Sequence, residues 1–85
     1  MFQKKIKINC KHGLHIRPAA QLIKYAQQFK SEINITYNDK TVNGKSLFQL
    51  QTLGISKDSI ITISANGEDE QETVEKIIQF ISQMK

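Results

Sequence analysis

Several things are scarce in this chain, and each scarcity closes a class of function. Its 85 residues include one cysteine, Cys10, so no internal disulfide can form. Tryptophan is absent, and the six aromatic residues, four Phe and two Tyr, are scattered. No aromatic stacking platform and no Gly-x-x-Gly clamp appears, which argues against an RNA-binding module. No apolar run approaches the roughly 20 residues that span a bilayer, so no membrane insertion is expected. Like charges form no block of five or six, and nothing resembles a Pro/Gly/Ser linker, a repeat or a low-complexity tract. Met1-Phe2-Gln3-Lys4-Lys5-Ile6-Lys7 lacks a following apolar h-region and is not expected to be a signal peptide. A cytoplasmic location is expected from these features together.

What remains is one small domain, residues 1–85, with 39% hydrophobic residues, a formal net charge of +4 and a pI near 9.3. A basic surface suits nucleic acid or the acidic face of a partner protein, and the charge alone does not choose. The sole proline, Pro18, is informative by position. A proline is tolerated in the first turn of a helix, where its missing N–H does no harm.

Hydrophobic periodicity predicts the elements in order. Residues 2–8 read as a strand with Phe2, Ile6 and Ile8 on one face, although Lys4 shares it. Residues 16–29 follow helical spacing through Ile16, Ala19, Ala20, Leu22, Ile23, Ala26 and Phe29. Residues 32–37 form a strand, and Asn38-Asp39 turns tightly into a short strand over 40–43. Ser46 caps a short helix over 47–53 that Gly54 ends. Residues 60–65 are a β-branched strand, and Asn66-Gly67 turns into a last helix over 69–84. Glu68, Asp69, Glu70 and Glu72 crowd the start of that helix, where negative charge is favoured. The order βαββαβα is an α+β arrangement with helices on one face of a sheet and the other face open.

The chemistry gathers at Gly13-Leu14-His15-Ile16-Arg17-Pro18-Ala19-Ala20. A histidine stands where the first helix begins, with an arginine two residues on. Helix N-termini offer unpaired backbone N–H groups and positive potential, a natural phosphate site. A helix start and Arg17 both disfavour imidazolium, so the His15 pKa is expected below the usual value near 6.5. A neutral imidazole is nucleophilic. Once it carries a phosphoryl group, the N–H groups of Ile16 and Arg17 and the Arg17 fork would hold the phosphoryl oxygens. A helix end contributes only about 0.3–1 kcal/mol to a nearby charge, which steadies a phosphohistidine without trapping it.

Gly13-Leu14-His15 with Arg17-Pro18-Ala19-Ala20, followed by Lys45-Ser46-Leu47-Phe48, closely resembles the HPr family, histidine phosphocarriers of the bacterial phosphoenolpyruvate-dependent sugar phosphotransferase system. The resemblance covers the whole chain, and the stretches Leu47–Gly54 and Ile63–Gln71 look like the enteric-type branch. It implies an open-faced β-sandwich: a four-stranded antiparallel sheet with three helices on one face. It also implies that His15 accepts a phosphoryl group on Nδ1 from phosphorylated enzyme I and donates it to a histidine of the enzyme IIA domains of sugar permeases. On this reading Arg17 stabilises the phosphoryl group. Ala20, Lys24, Lys45, Leu47, Phe48 and Gln51 form the docking surface, with the two lysines meeting acidic rims. The chain is then a monomeric, stoichiometric phosphocarrier rather than an enzyme, and needs no cofactor. In some relatives a kinase phosphorylates the serine at the position of Ser46; here the residues that follow favour a plain helix cap.

Two departures from the family pattern stand near the histidine: Ile16, where many relatives have Thr, and His12, a second imidazole in the same loop. Cys10, His12 and His15 could be read as three metal ligands. Their spacing is not that of a zinc site and no fourth ligand is evident, so no metal is expected. A nitrogen-related paralogue of HPr, serving a regulatory phosphorelay, is the alternative function; it shares the chemistry and differs in partners.

Overall fold

In the computed structural model, residues 1–9, 13–14 and 16–83 are described; Cys10, Lys11, His12, His15, Met84 and Lys85 lie outside the described residues. Seven elements follow one another: β1 (Phe2–Lys7), α1 (Ile16–Ala26), β2 (Glu32–Tyr37), β3 (Lys40–Asn43), α2 (Leu47–Gln51), β4 (Ile60–Asn66) and α3 (Glu70–Ser82). The order is the one expected from the sequence.

The four strands make one antiparallel sheet in the order β1-β4-β2-β3. The register explains why only one face is covered. Ile6 pairs with Ile61, Ile35 with Ile63, Ile33 with Ala65 and Val42 with Ile35, all on one side. Lys5 pairs with Thr62, Asn34 with Ser64 and Thr36 with Thr41 on the other. Directly opposed residues in an antiparallel pair share a face, so alternation yields one apolar and one polar surface. The three helices cover the apolar side: α3 lies over β4 and β1, α1 beside α2 and α3, and α2 near β3. Between the layers sit Ile8, Leu22, Ile35, Leu50, Ile61, Ile63, Val74, Ile77 and Ile81, all under 2% exposed. Lys4, on the core-facing side of β1, escapes burial at the sheet edge, with Nζ 5.7 Å from the Phe2 ring centre.

Local chemistry sets the element ends. Asn38 and Asp39 both have positive φ, 50° and 66°, which makes the β2–β3 connection a two-residue turn whose twist matches the strands. Helix α1 stops at Ala26, three residues short of expectation. Gln28 N–H and Phe29 N–H reach back only three residues, to the Tyr25 and Ala26 carbonyls, so the last turn tightens while Phe29 still turns into the core. In the same way Thr52 and Leu53 bond to Gln49 and Leu50, and α2 ends at Gln51 rather than 53.

Asp69 fastens the start of α3 to the rest of the molecule. Its carboxylate accepts the Ser31 hydroxyl and the backbone N–H groups of Lys30 (3.1 Å) and Ser31 (3.0 Å). The Ser31 hydroxyl, with smaller contributions from these two N–H groups, lowers the Asp69 pKa to about 2; burial opposes it with an effect second to that of Ser31. Glu70 is also held below its usual range, first by its contact with the N-terminal ammonium at 3.0 Å and then by the Gly67 N–H.

Candidate functional site: a clamped loop at a helix start

The segment leading to the first helix is held on two sides. Gly13 has φ +72°, a backbone conformation that costs a side-chain-bearing residue roughly 1–2 kcal/mol. A Cβ there would also collide with the Ile55 carbonyl oxygen and come within 2.7 Å of Ser56 Cα. This close approach lets the Leu14 N–H donate to the Ile55 carbonyl at 3.1 Å. The Leu14 side chain is buried, 4% exposed, and its carbonyl accepts from Gln51 Nε2 at 3.3 Å. Position 15 lies between this clamped residue and Ile16, the first residue of α1. His15, expected to carry the chemistry, lies outside the described residues, as do His12 and Cys10.

The start of α1 is built for an anion. Helix geometry leaves the N–H groups of Ile16 and Arg17 without intrahelical acceptors, and Pro18 has no N–H to satisfy. No acidic residue occupies the first turn. Arg17 is exposed, and among the described residues the ion pairs are Met1–Glu70, Lys7–Asp58 and Lys76–Glu72, so none engages its guanidinium. Nor does any group of three or more His, Cys, Asp or Glu among the described residues have the arrangement of a metal site.

An apolar surface flanks this site. Ile16 is 67% exposed and Phe48 83%, on the neighbouring helices α1 and α2. The adjacent residues Leu47 and Phe48 divide as a short helix requires: Leu47 is half-buried against the core, and Phe48 points to solvent. Ala20 and Lys24 are exposed along α1. Ser46 is an N-cap whose Oγ accepts from the Gln49 N–H at 3.3 Å. Lys45 is half-buried, and its ammonium donates to the Phe29 carbonyl at 2.6 Å just beyond the end of α1. Its charge is therefore partly directed at the fold. Neither this bond nor the one from Gln51 to Leu14 has a sequence signal, because they join residues 16 and 37 positions apart.

The fold and site define a class: an open-faced α+β sandwich that presents a short clamped loop at the positive end of a helix, beside an exposed apolar patch. Residues 2–83 match the family model for the phosphotransferase-system HPr component phosphorylation site. The chain is 54% identical over 85 residues, the whole of both chains, to phosphocarrier protein HPr of Buchnera aphidicola subsp. Schizaphis graminum. It is 49% identical over 81 residues, 95% of both, to that of Haemophilus influenzae. A crystal structure of HPr from Thermoanaerobacter tengcongensis superposes with a TM-score of 0.93 at 36% identity, covering 96% of this chain and 92% of the other. The chain belongs to the HPr family, the phosphocarrier proteins of the phosphotransferase system.

Proposed function

We propose that His15 accepts a phosphoryl group at Nδ1 from phosphorylated enzyme I and passes it to a histidine of the enzyme IIA domains of sugar permeases. The observation that carries this reading is the start of α1. Two backbone N–H donors and the exposed Arg17, which makes no ion pair among the described residues, stand immediately after position 15, with no carboxylate in the first turn to compete. In each half of the relay one N–P bond forms as another breaks. The attacking imidazole must be neutral, with Nδ1 unprotonated and the proton on Nε2. The phosphoryl group arriving at the helix start meets positive potential that stabilises its charge. Arg17 supplies further donors in a fork that matches phosphoryl oxygens. The protein acts as a stoichiometric carrier in the cytoplasm, as a monomer, and draws on no metal or cofactor.

Donor and acceptor would dock on the same surface. Phe48, Ile16 and the half-buried Leu47 supply apolar area, and Ala20 permits close approach along α1. Lys24, the remaining donors of Lys45, and Gln51 meet the polar rim. A small interface of this kind suits rapid exchange of partners. The deciding experiment is incubation with enzyme I and phosphoenolpyruvate. An acid-labile, base-stable phosphate on the wild type and none on His15→Ala is expected. No labelling by a competent sugar-branch enzyme I would overturn the assignment and direct the same assay to the enzyme I of the nitrogen-related branch.

A further inference from the structure

We infer that Gln51 is a positioning residue for phosphoryl transfer, acting through the carbonyl of Leu14; this rests on the carrier function proposed for His15. Its side-chain amide donates to the Leu14 oxygen at 3.3 Å in a part-buried setting. That oxygen belongs to the peptide group whose nitrogen is the backbone nitrogen of His15. A peptide group is planar, so a bond to its oxygen restrains the whole unit and the direction in which the chain enters residue 15. The same residue is held at its N–H by Ile55, and Gly13 is pressed against that carbonyl. Beyond position 15 the chain is already in α1. Gln51 is thus the side-chain component of a clamp that otherwise consists of backbone.

The anchor for this clamp is firm. Gln51 is the last residue of α2, a single short helix capped by Ser46 and fastened to the core by Leu50, 1% exposed. An amide is well suited to the position: it is neutral, and it donates without bringing a charge beside the imidazole or the phosphoryl group. A carboxylate at this position could not donate and would oppose phosphate. Small displacements of a reacting group are costly when catalysis depends on placement, which is the main device in phosphoryl transfer.

Gln51 also borders the docking surface, so the test must separate placement from docking. Transfer from phosphorylated enzyme I is measured for the wild type and Gln51→Met, with saturating rate and KM determined separately. A hydrogen bond of ordinary net worth corresponds to roughly a three- to tenfold effect on rate. Gln51→Met, which keeps length and loses the donor, is expected to lower the saturating rate by about that factor, beyond any change in KM that its place on the docking rim brings. The Leu14 carbonyl carbon resonance is expected to move in Gln51→Met, because the donor to that oxygen is lost. A raised KM with an unchanged saturating rate would make Gln51 a docking contact only and overturn the inference, as would an unmoved Leu14 resonance. Wild-type protein that is not phosphorylated at all would remove the carrier reading itself, a result distinct from any difference between the wild type and Gln51→Met.

Discussion

Replacing Phe48 by alanine separates the core from the surface at a single side chain. Phe48 is 83% exposed, so only about a sixth of its area leaves water when the chain folds. A phenylalanine can bury about 150–250 Å², so that share is roughly 30 Å², or about 0.7 kcal/mol at about 25 cal/mol per Å². Alanine is the better helix former by up to about 0.7 kcal/mol, which offsets the loss. Phe48→Ala is therefore expected to change folding stability by less than about 1 kcal/mol. In a complex the exposed ring would be covered, and burying an aromatic side chain is worth about 1.5–3 kcal/mol. That corresponds to a Kd weaker by roughly tenfold to 150-fold. Urea unfolding measures the first quantity, and calorimetric titration with enzyme I or an enzyme IIA domain the second. Leu50→Ala, two residues away but 1% exposed, is the contrast, with an expected loss of about 2–5 kcal/mol of stability. The reasoning fails if Phe48→Ala loses more than about 2 kcal/mol of stability, because the ring would then be part of the core. It fails equally if stability is retained and affinity for both partners stays within about twofold, because α2 would then not be the docking surface.

Three other outcomes are expected. Arg17→Ala should slow phosphoryl transfer by roughly tenfold or more while leaving the thermal midpoint nearly unchanged, since charge-assisted bonds to the phosphoryl group would be lost and Arg17 is exposed with no ion pair among the described residues; an unchanged rate would remove Arg17 from the site. Gly13→Ala should cost about 2 kcal/mol or more, a fall in Tm of roughly 10 °C by differential scanning calorimetry, because a methyl group meets backbone as well as an unfavourable φ; an unchanged Tm would show that the loop can relax away from Ile55. Asp69 has a folded-state pKa depressed to about 2, so it contributes stability that is fully present above its unfolded value near 3.9 and is lost as pH falls toward about 2. Acid unfolding of Asp69→Asn should accordingly lack this part of the pH dependence, and identical slopes for the two proteins between about pH 4 and 2 would refute the role of Ser31 and the neighbouring N–H groups.

Much of this molecule is legible along the chain because its signals are local. The Asn38-Asp39 pair supplies two residues that tolerate positive φ, and that marks the β2–β3 hairpin and brings Ile35 opposite Val42. Ser46 can satisfy an unpaired N–H three residues on, which marks the start of α2. Pro18 after the histidine and Arg17 marks the start of α1, and thereby the helix end whose first turn carries no acidic residue. Helix ends were less legible. Whether residues 27–29 continue α1 depends on how Phe29 is drawn into the core, which periodicity does not reveal.

Tertiary structure alone decided how distant pieces meet. Nothing local places β4 between β1 and β2, since those pairings join segments far apart in the chain and depend on which apolar faces can be buried together. Nothing local tells that Leu47 turns inward while Phe48 faces solvent; the direction of α2 against α1 and β3 sets that. The same holds for the anchors around the site: the Ile55 carbonyl on Leu14, Gln51 on the Leu14 carbonyl, and Lys45 on the carbonyl beyond α1. Sequence by itself determined the torsions, the faces and the residue types that chemistry requires, because these depend on neighbours within a turn or two. Packing determined which side chains remain free for a partner and which are held by the fold, because a hydrogen bond or an apolar contact exists only once two separate segments have been brought within reach.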